Sequence, residues 1–172
     1  MIKLKREQKP EYLSDEKVHE LTNEFKSSKK TVWNNDFIKV PLLNSSYGKC
    51  AYCECPLTTE SNYMEVEHFE DKNNNPEKVV SWKNLLPSCK KCNGSKGTHD
   101  VVSEPIINPF EDEPREHLSM RLYRLQGKTS KGITSIEVTD LNNSSRLVFI
   151  RFEIGEKISE MVDISCISLD LI

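Results

Sequence analysis

The chain has 172 residues, 36% of them hydrophobic and 30% charged, with a formal net charge of −3. That length supports a domain with a real core, and the acidic balance argues against a protein that coats nucleic acid by bulk charge. No apolar run approaches the roughly 20 residues of a membrane span. The basic start MIKLKREQKP leads into no apolar stretch, so no secretory signal is read and a cytoplasmic chain with reduced thiols is expected.

In chain order, residues 14–27 (SDEKVHELTNEFKS) predict a helix. Ser14 is placed to cap it, Asp15 and Glu16 suit its first turn, and Val18, Leu21 and Phe25 form its apolar stripe. Residues 31–43 predict a second short helix anchored by Trp33, Phe37 and Val40 and ended by Pro41. SSYGKCAYCECPL is a turn-rich knuckle. NYMEVEHF alternates Met64 and Val66 with Glu65 and Glu67, which predicts a strand. DKNNNPEK is a polar loop, and the β-branched VVSWKNLL predicts a second strand running into Asn84, with Trp82 as a core anchor. SCKKCNGSKG reads as a short helix stopped by Gly97. MRLYRLQGKTSKGITSIEVTDL suggests a hairpin around its Gly/Lys/Ser turn, and NNSSRLVFIRFEIGEKISEMV suits either a capped helix or a strand. GKTS (127–130) is no phosphate-binding loop, because Leu122 stands where that motif needs glycine. His19, His99 and His117 receive no role.

Charge is segregated. From Lys78 to His99 there are five lysines and no acid, whereas EPIINPFEDEPRE, Glu104 to Glu116, is acidic. The basic part coincides with the residues best suited to hold metal. Of the six cysteines, four form two C-x-x-C pairs, Cys50/Cys53 and Cys89/Cys92. In a reducing compartment this pattern predicts one structural Zn²⁺ in a closed tetrahedral thiolate site. The 35 residues between Cys53 and Cys89 exceed a simple zinc ribbon, so the ion would clamp the ends of an inserted strand–loop–strand unit. Cys55 and Cys166 stand outside the pairs and read as ordinary thiols.

A second set of groups lies beside the first. Glu67 precedes His68. On the helix begun by CKKCNGSK, Cys89, Cys92, Asn93 and Lys96 recur at i, i+3, i+4 and i+7 and share a face. A carboxylate and a carboxamide oxygen suit a hard cation such as Mg²⁺ or Mn²⁺, which leaves the imidazole free to act as a base. Adjacent strand residues face apart, so Glu67 and His68 share a site only where the strand ends or bulges.

The order C-x-x-C … E-H-F … N-L-x-x-x-C-x-x-C-N-x-x-K-G, Cys50 to Gly97, resembles the HNH (ββα-metal, His-Me finger) endonucleases. With the flanking EPIINPFEDEPREHL and TDLNNSSRLVFIR, the chain resembles the HNH subunit of Septu-type anti-phage systems, which also occurs in some retron operons. The resemblance implies an α+β fold. A ββα core clamped by a four-cysteine zinc site (46–110) would lie between an N-terminal helical region (1–45) and a partner-docking hairpin and helix (111–172). It implies His68 as general base, Glu67 and Asn93 as ligands of the catalytic Mg²⁺ or Mn²⁺, Asn84 as the brace of the loop, and Lys96 near the scissile phosphate. It further implies one-metal hydrolysis of DNA or of structured RNA such as tRNA. The implied partners are an ABC-type ATPase and, in retron operons, a reverse transcriptase with its RNA and DNA. The rival reading is a non-catalytic, zinc-stabilised nucleic-acid-binding or adaptor module. The discriminating feature is whether His68 and Asn93 converge on one open site beside the cysteines.

Overall fold

The computed structural model describes residues 1–59 and 62–169. It is a mixed α/β fold with two small sheets among the described residues. Helix α1 (Asp15–Ser28) begins where Ser14 Oγ accepts from Lys17 N at 3.2 Å. Its apolar stripe buries Leu21 and Phe25, and it closes at Lys29 in the left-handed region. Helix α2 (Asp36–Ser45) starts later than its sequence predicts, because the Asn35 side chain caps the Ile38 amide at 3.1 Å. Pro41 therefore falls inside α2 instead of ending it, and Phe37 and Val40, expected as buried anchors, are exposed, because α2 buries the face that carries Ile38 and Leu42.

Strands β1 (Thr58–Thr59), β2 (Asn62–His68) and β3 (Leu85–Cys89) form one antiparallel sheet in the order β1-β2-β3. The β2–β3 register sets Met64 opposite Cys89 and His68 opposite Leu85. Helix α3 (Lys90–Lys96) follows β3 without a gap. The predicted strand VVSWKNLL is instead two pieces. Val79 and Val80 are fully buried in a turn, Trp82–Asn84 is a 3₁₀ turn, and β3 starts only at Leu85. The turn is held from the N-terminus. Arg6 donates to the carbonyls of Trp82 at 2.8 Å and Leu85 at 2.7 Å, and Trp82 Nε1 donates to Glu7 O at 2.9 Å. These bonds spend the strand-forming backbone groups of this stretch on the N-terminal strap.

Downstream, α4 (Pro114–His117) leads into the hairpin β4 (Leu118–Arg121) and β5 (Arg124–Gly127). The hairpin turns at Leu122 and Tyr123, both at positive φ, so its turn lies upstream of the predicted Gly/Lys/Ser stretch. That stretch instead leads into α5 (Ser130–Val138), which Thr129 caps. A π-helical turn (Ser144–Val148), capped by Asn143, runs into α6 (Phe149–Leu169), so the helix alternative holds for this part. Among the described residues no helix is long and apolar enough to cross a membrane.

Candidate functional site

The first knuckle is a tight turn. Cys50 N donates to Cys55 O at 2.9 Å, Lys49 bridges Pro56, and Tyr47, Gly48 and Glu54 take positive φ. Ala51 N donates to Pro87 O at 2.9 Å, which fastens this turn to β3. The second knuckle is the start of α3, where the Cys89 side chain caps the helix by accepting from Cys92 N at 3.4 Å. Together these turns gather the Sγ atoms of Cys50, Cys53, Cys55 and Cys89 to within 4.8 Å of one another. Cys92, fully buried, faces Cys50, Cys53 and Cys89. Hydrogen bonds from Cys53, Cys55, Cys89 and Cys92 hold the Cys50 thiol well below the ordinary thiol range. Soft thiolates at this spacing are suited to a tetrahedral ion such as zinc. Cys55, read from sequence as a bystander, sits in the cluster, 3.2 Å from Cys53. Cys166 lies outside the residues whose side chains are described. Arg146 Nη1 adds a cation at 3.8 Å from Cys53 and 3.9 Å from Cys92.

The strand pleat sorts the second set. Glu65 and Glu67 point from β2 to α3. There Asn93 Nδ2 donates to Glu65 Oε2 at 2.7 Å, and Lys96 Nζ lies 2.7 Å from Glu67 Oε1. Glu67 and Lys96 are both buried, and Lys96 also donates to the His68 carbonyl at 3.0 Å. The contact between Lys96 and Glu67 Oε1 is an ion contact without hydrogen-bond alignment. Burial raises the Glu67 carboxyl to about 7 against the opposing pull of Lys96. The Tyr52 hydroxyl, fully buried, lies beside it, and burial followed by the Glu67 charge pushes it well above its usual range.

His68 ends β2 and turns to the other face. Its Nε2 is 2.8 Å from Val79 O, and the Trp33 ring meets it edge-on at 4.6 Å between centroids. A carbonyl only accepts, so Nε2 carries the proton and Nδ1 keeps the lone pair. Burial lowers the imidazole to about 4, so it is neutral near pH 7. Asn84 closes the loop that carries Val79. Its Oδ1 accepts from Glu70 N at 2.8 Å, and its Nδ2 donates to Glu70 O at 3.0 Å and Lys78 O at 3.3 Å.

The structure thus joins Glu67 to Lys96, Asn93 to Glu65, and His68 to the loop braced by Asn84. It does not put the side chains of Glu67, His68 and Asn93 into one hydrogen-bonded set. Oxygen donors for a hard cation line the α3 face of β2, where Glu67 is engaged by Lys96 and the partly exposed Glu65–Asn93 pair lies nearer solvent. Glu65, Tyr52, Cys55 and Arg146 join these contacts although the motif spacing assigns them no role. Glu65 was legible as the strand neighbour two before Glu67, and Cys55 as the third cysteine of C-x-x-C-x-C. Arg146 lies 54 residues from Cys92, and nothing local signals it.

Fold and thiols together define a mixed α/β protein with a partly buried cysteine cluster able to bind a metal such as zinc. The chain is 52% identical over 163 residues, 95% of its length, to Septu protein PtuB of Bacillus thuringiensis. It is 29% identical, over a gapped alignment of 187 positions that covers 83% of its length, to Septu protein PtuB of Bacillus mycoides strain KBAB4. It spans 63% of the length of each of these relatives. No family model matches the chain.

Proposed function

We propose that the chain is a metal-dependent HNH endonuclease, the nucleic-acid-cutting component of a Septu-type anti-phage system that works with an ABC-type ATPase. The observation that carries this reading is the setting of His68. A strand end, a loop carbonyl at 2.8 Å and an asparagine brace hold the ring in the tautomer whose Nδ1 can take a proton from water. The hairpin β2–β3 followed directly by α3 supports it, as does the likeness to the PtuB proteins.

Zinc would sit among the knuckle cysteines, Cys50, Cys53, Cys89 and Cys92 in the sequence reading, and clamp both ends of the hairpin. A Mg²⁺ or Mn²⁺ ion would be held by Asn93 with the carboxylates of β2, and would supply charge stabilisation at the phosphate. His68 and Asn93 lie on different faces of β2. In this reading the scissile phosphate would lie across the His68 end of β2, within reach of a metal ion held from the α3 face. Lys96, read from sequence as a phosphate contact, holds the His68 carbonyl and Glu67 in this arrangement.

The rival binding-module reading is favoured by two observations, the 4% exposure of His68 and the separation of His68 and Asn93 onto different faces of β2. A cleavage assay on DNA and on total RNA, with and without a co-expressed ABC-type ATPase, separates the two. His68→Ala is expected to lower cleavage by about 10²-fold or more, the usual scale of a general base, with zinc content unchanged. A folded, zinc-loaded His68→Ala chain that cuts at the parental rate would remove His68 as the base. Binding without cleavage under every condition would leave the module.

A further inference from the structure

Five thiols, one more than a tetrahedral ion uses, meet at the knuckle. The Sγ atoms of Cys50, Cys53, Cys89 and Cys55 lie within 4.8 Å of one another, and Cys92 joins them through its amide on Cys89 Sγ at 3.4 Å and through Arg146 Nη1, which lies 3.8 Å from Cys53 Sγ and 3.9 Å from Cys92 Sγ. The two claimants to the fourth position differ in exposure. Cys92 comes from the core. It is fully buried, and its Sγ lies under the Arg146 guanidinium at 3.9 Å and 4.0 Å. Cys55 comes from solvent. It is half-buried and, with Cys53 and Cys89, lines a cavity of about 670 Å³. Asn62 Nδ2 donates to its Sγ at 3.2 Å. Each claimant therefore has a donor of its own, and neither sulfur is left bare when the other is bound.

We propose that Cys50, Cys53 and Cys89 are the fixed ligands of one zinc ion and that Cys92 and Cys55 exchange the fourth position, with Cys55 as the port through which the ion is loaded from the cavity and lost to it. In the exchange a Zn–S bond to Cys55 forms as the bond to Cys92 breaks. Cys55 gives up its thiol proton and the freed Cys92 thiolate takes one up, so the charge of the site is unchanged. Arg146 and the start of α3 hold the freed Cys92 in place, which makes the step reversible.

Cobalt(II) reports the number of bound thiolates through its charge-transfer absorption, and it binds such sites as zinc does. Cys55→Ser and Cys92→Ser should each take up one cobalt with a four-thiolate spectrum. The double variant should show three thiolates and bind about 10²-fold or more weakly. A Cys92→Ser chain that matches the double variant would overturn the proposal. A second measurement avoids the buried position and its effect on folding. Zinc release to a chromophoric chelator from Cys55→Ser should be slower than from the parent by about tenfold or more, since an entering thiolate no longer assists. Equal release rates would overturn the port.

Discussion

His68 and Glu67 are adjacent, yet burial drives their protonation in opposite directions. The imidazole falls from the usual 6.5 to about 4, because its charged form is desolvated. The carboxyl rises from the usual 4.5 to about 7 for the same reason, with Lys96 offsetting part of the rise. For His68 the unfolded chain binds the extra proton, so its contribution is complete above pH 6.5 and is lost as pH falls through 4. For Glu67 the folded chain binds the extra proton, so its contribution is complete below pH 4.5 and is lost as pH rises through 7. Each term is about 3 kcal/mol at full strength. Across their shared window, from about pH 4.5 to 6.5, they offset one another. His68→Asn removes the first term, so its stability relative to the parent should fall as pH rises through that window. Glu67→Gln removes the second, so its relative stability should rise. Urea midpoints at pH 5, 6 and 7, at constant m-value, measure both slopes. Two variants that differ from the parent by a constant offset would show that neither group is perturbed.

Two glycines test how the elements pack. In α3, a Cβ on Gly94 would meet nothing within 4 Å, so Gly94→Ala should stabilise the chain by up to about 1 kcal/mol through helix propensity alone. In α5, a Cβ on Gly132 would lie 2.1 Å from the His117 carbonyl oxygen and 3.3 Å from Gly127 Cα. There the clash with backbone outweighs propensity, and Gly132→Ala should destabilise by about 1–3 kcal/mol. Thermal melts of the pair should shift in opposite directions. The two sites also mark what was legible at this scale. The Ser14 cap, the alternation of β2 and the knuckle cysteines were plain in the sequence, because each is a local pattern. Pro41 was misplaced because Asn35, not the apolar run, starts α2. The second hairpin was displaced because Leu122 and Tyr123, residues with no turn signature, take positive φ. Val79 and Val80 have strand propensity, but burial in a turn overrode it. The pairings Glu67–Lys96 and Asn93–Glu65 follow from which face of β2 meets α3, a tertiary fact that no spacing encodes.

Over the whole molecule, the cysteine cluster joins parts far apart in sequence. The knuckles come from residues 50–55 and 89–92, and Arg146 reaches them from the turn that begins the C-terminal helix. Beyond that turn α6 exposes Phe152, Ile154 and Ile158 by 43%, 53% and 57%, so only part of its apolar surface is buried against the body. The attachment therefore combines the π-turn before α6, where Leu147 is buried and Arg146 faces the thiolates, with the Tyr123 turn of the β4–β5 hairpin, whose ring meets Phe152 and whose hydroxyl donates to Glu156 at 3.1 Å. A zinc ion with four thiolates carries a formal charge of −2, so the guanidinium gains an anionic partner when metal binds. Partial exposure discounts this attraction to about 1 kcal/mol. Two outcomes follow, and amide hydrogen exchange across residues 144–158 separates them. Arg146→Gln should keep its zinc and show faster exchange in this segment alone. Stripping zinc from the parent with a chelator should raise exchange both here and in the knuckles, because thiolate–zinc binding is coupled to folding. Unchanged exchange in Arg146→Gln would mean that the packing around Leu147 and the contacts of Tyr123 with Phe152, Glu156 and Arg151 hold α6 without help from the cluster.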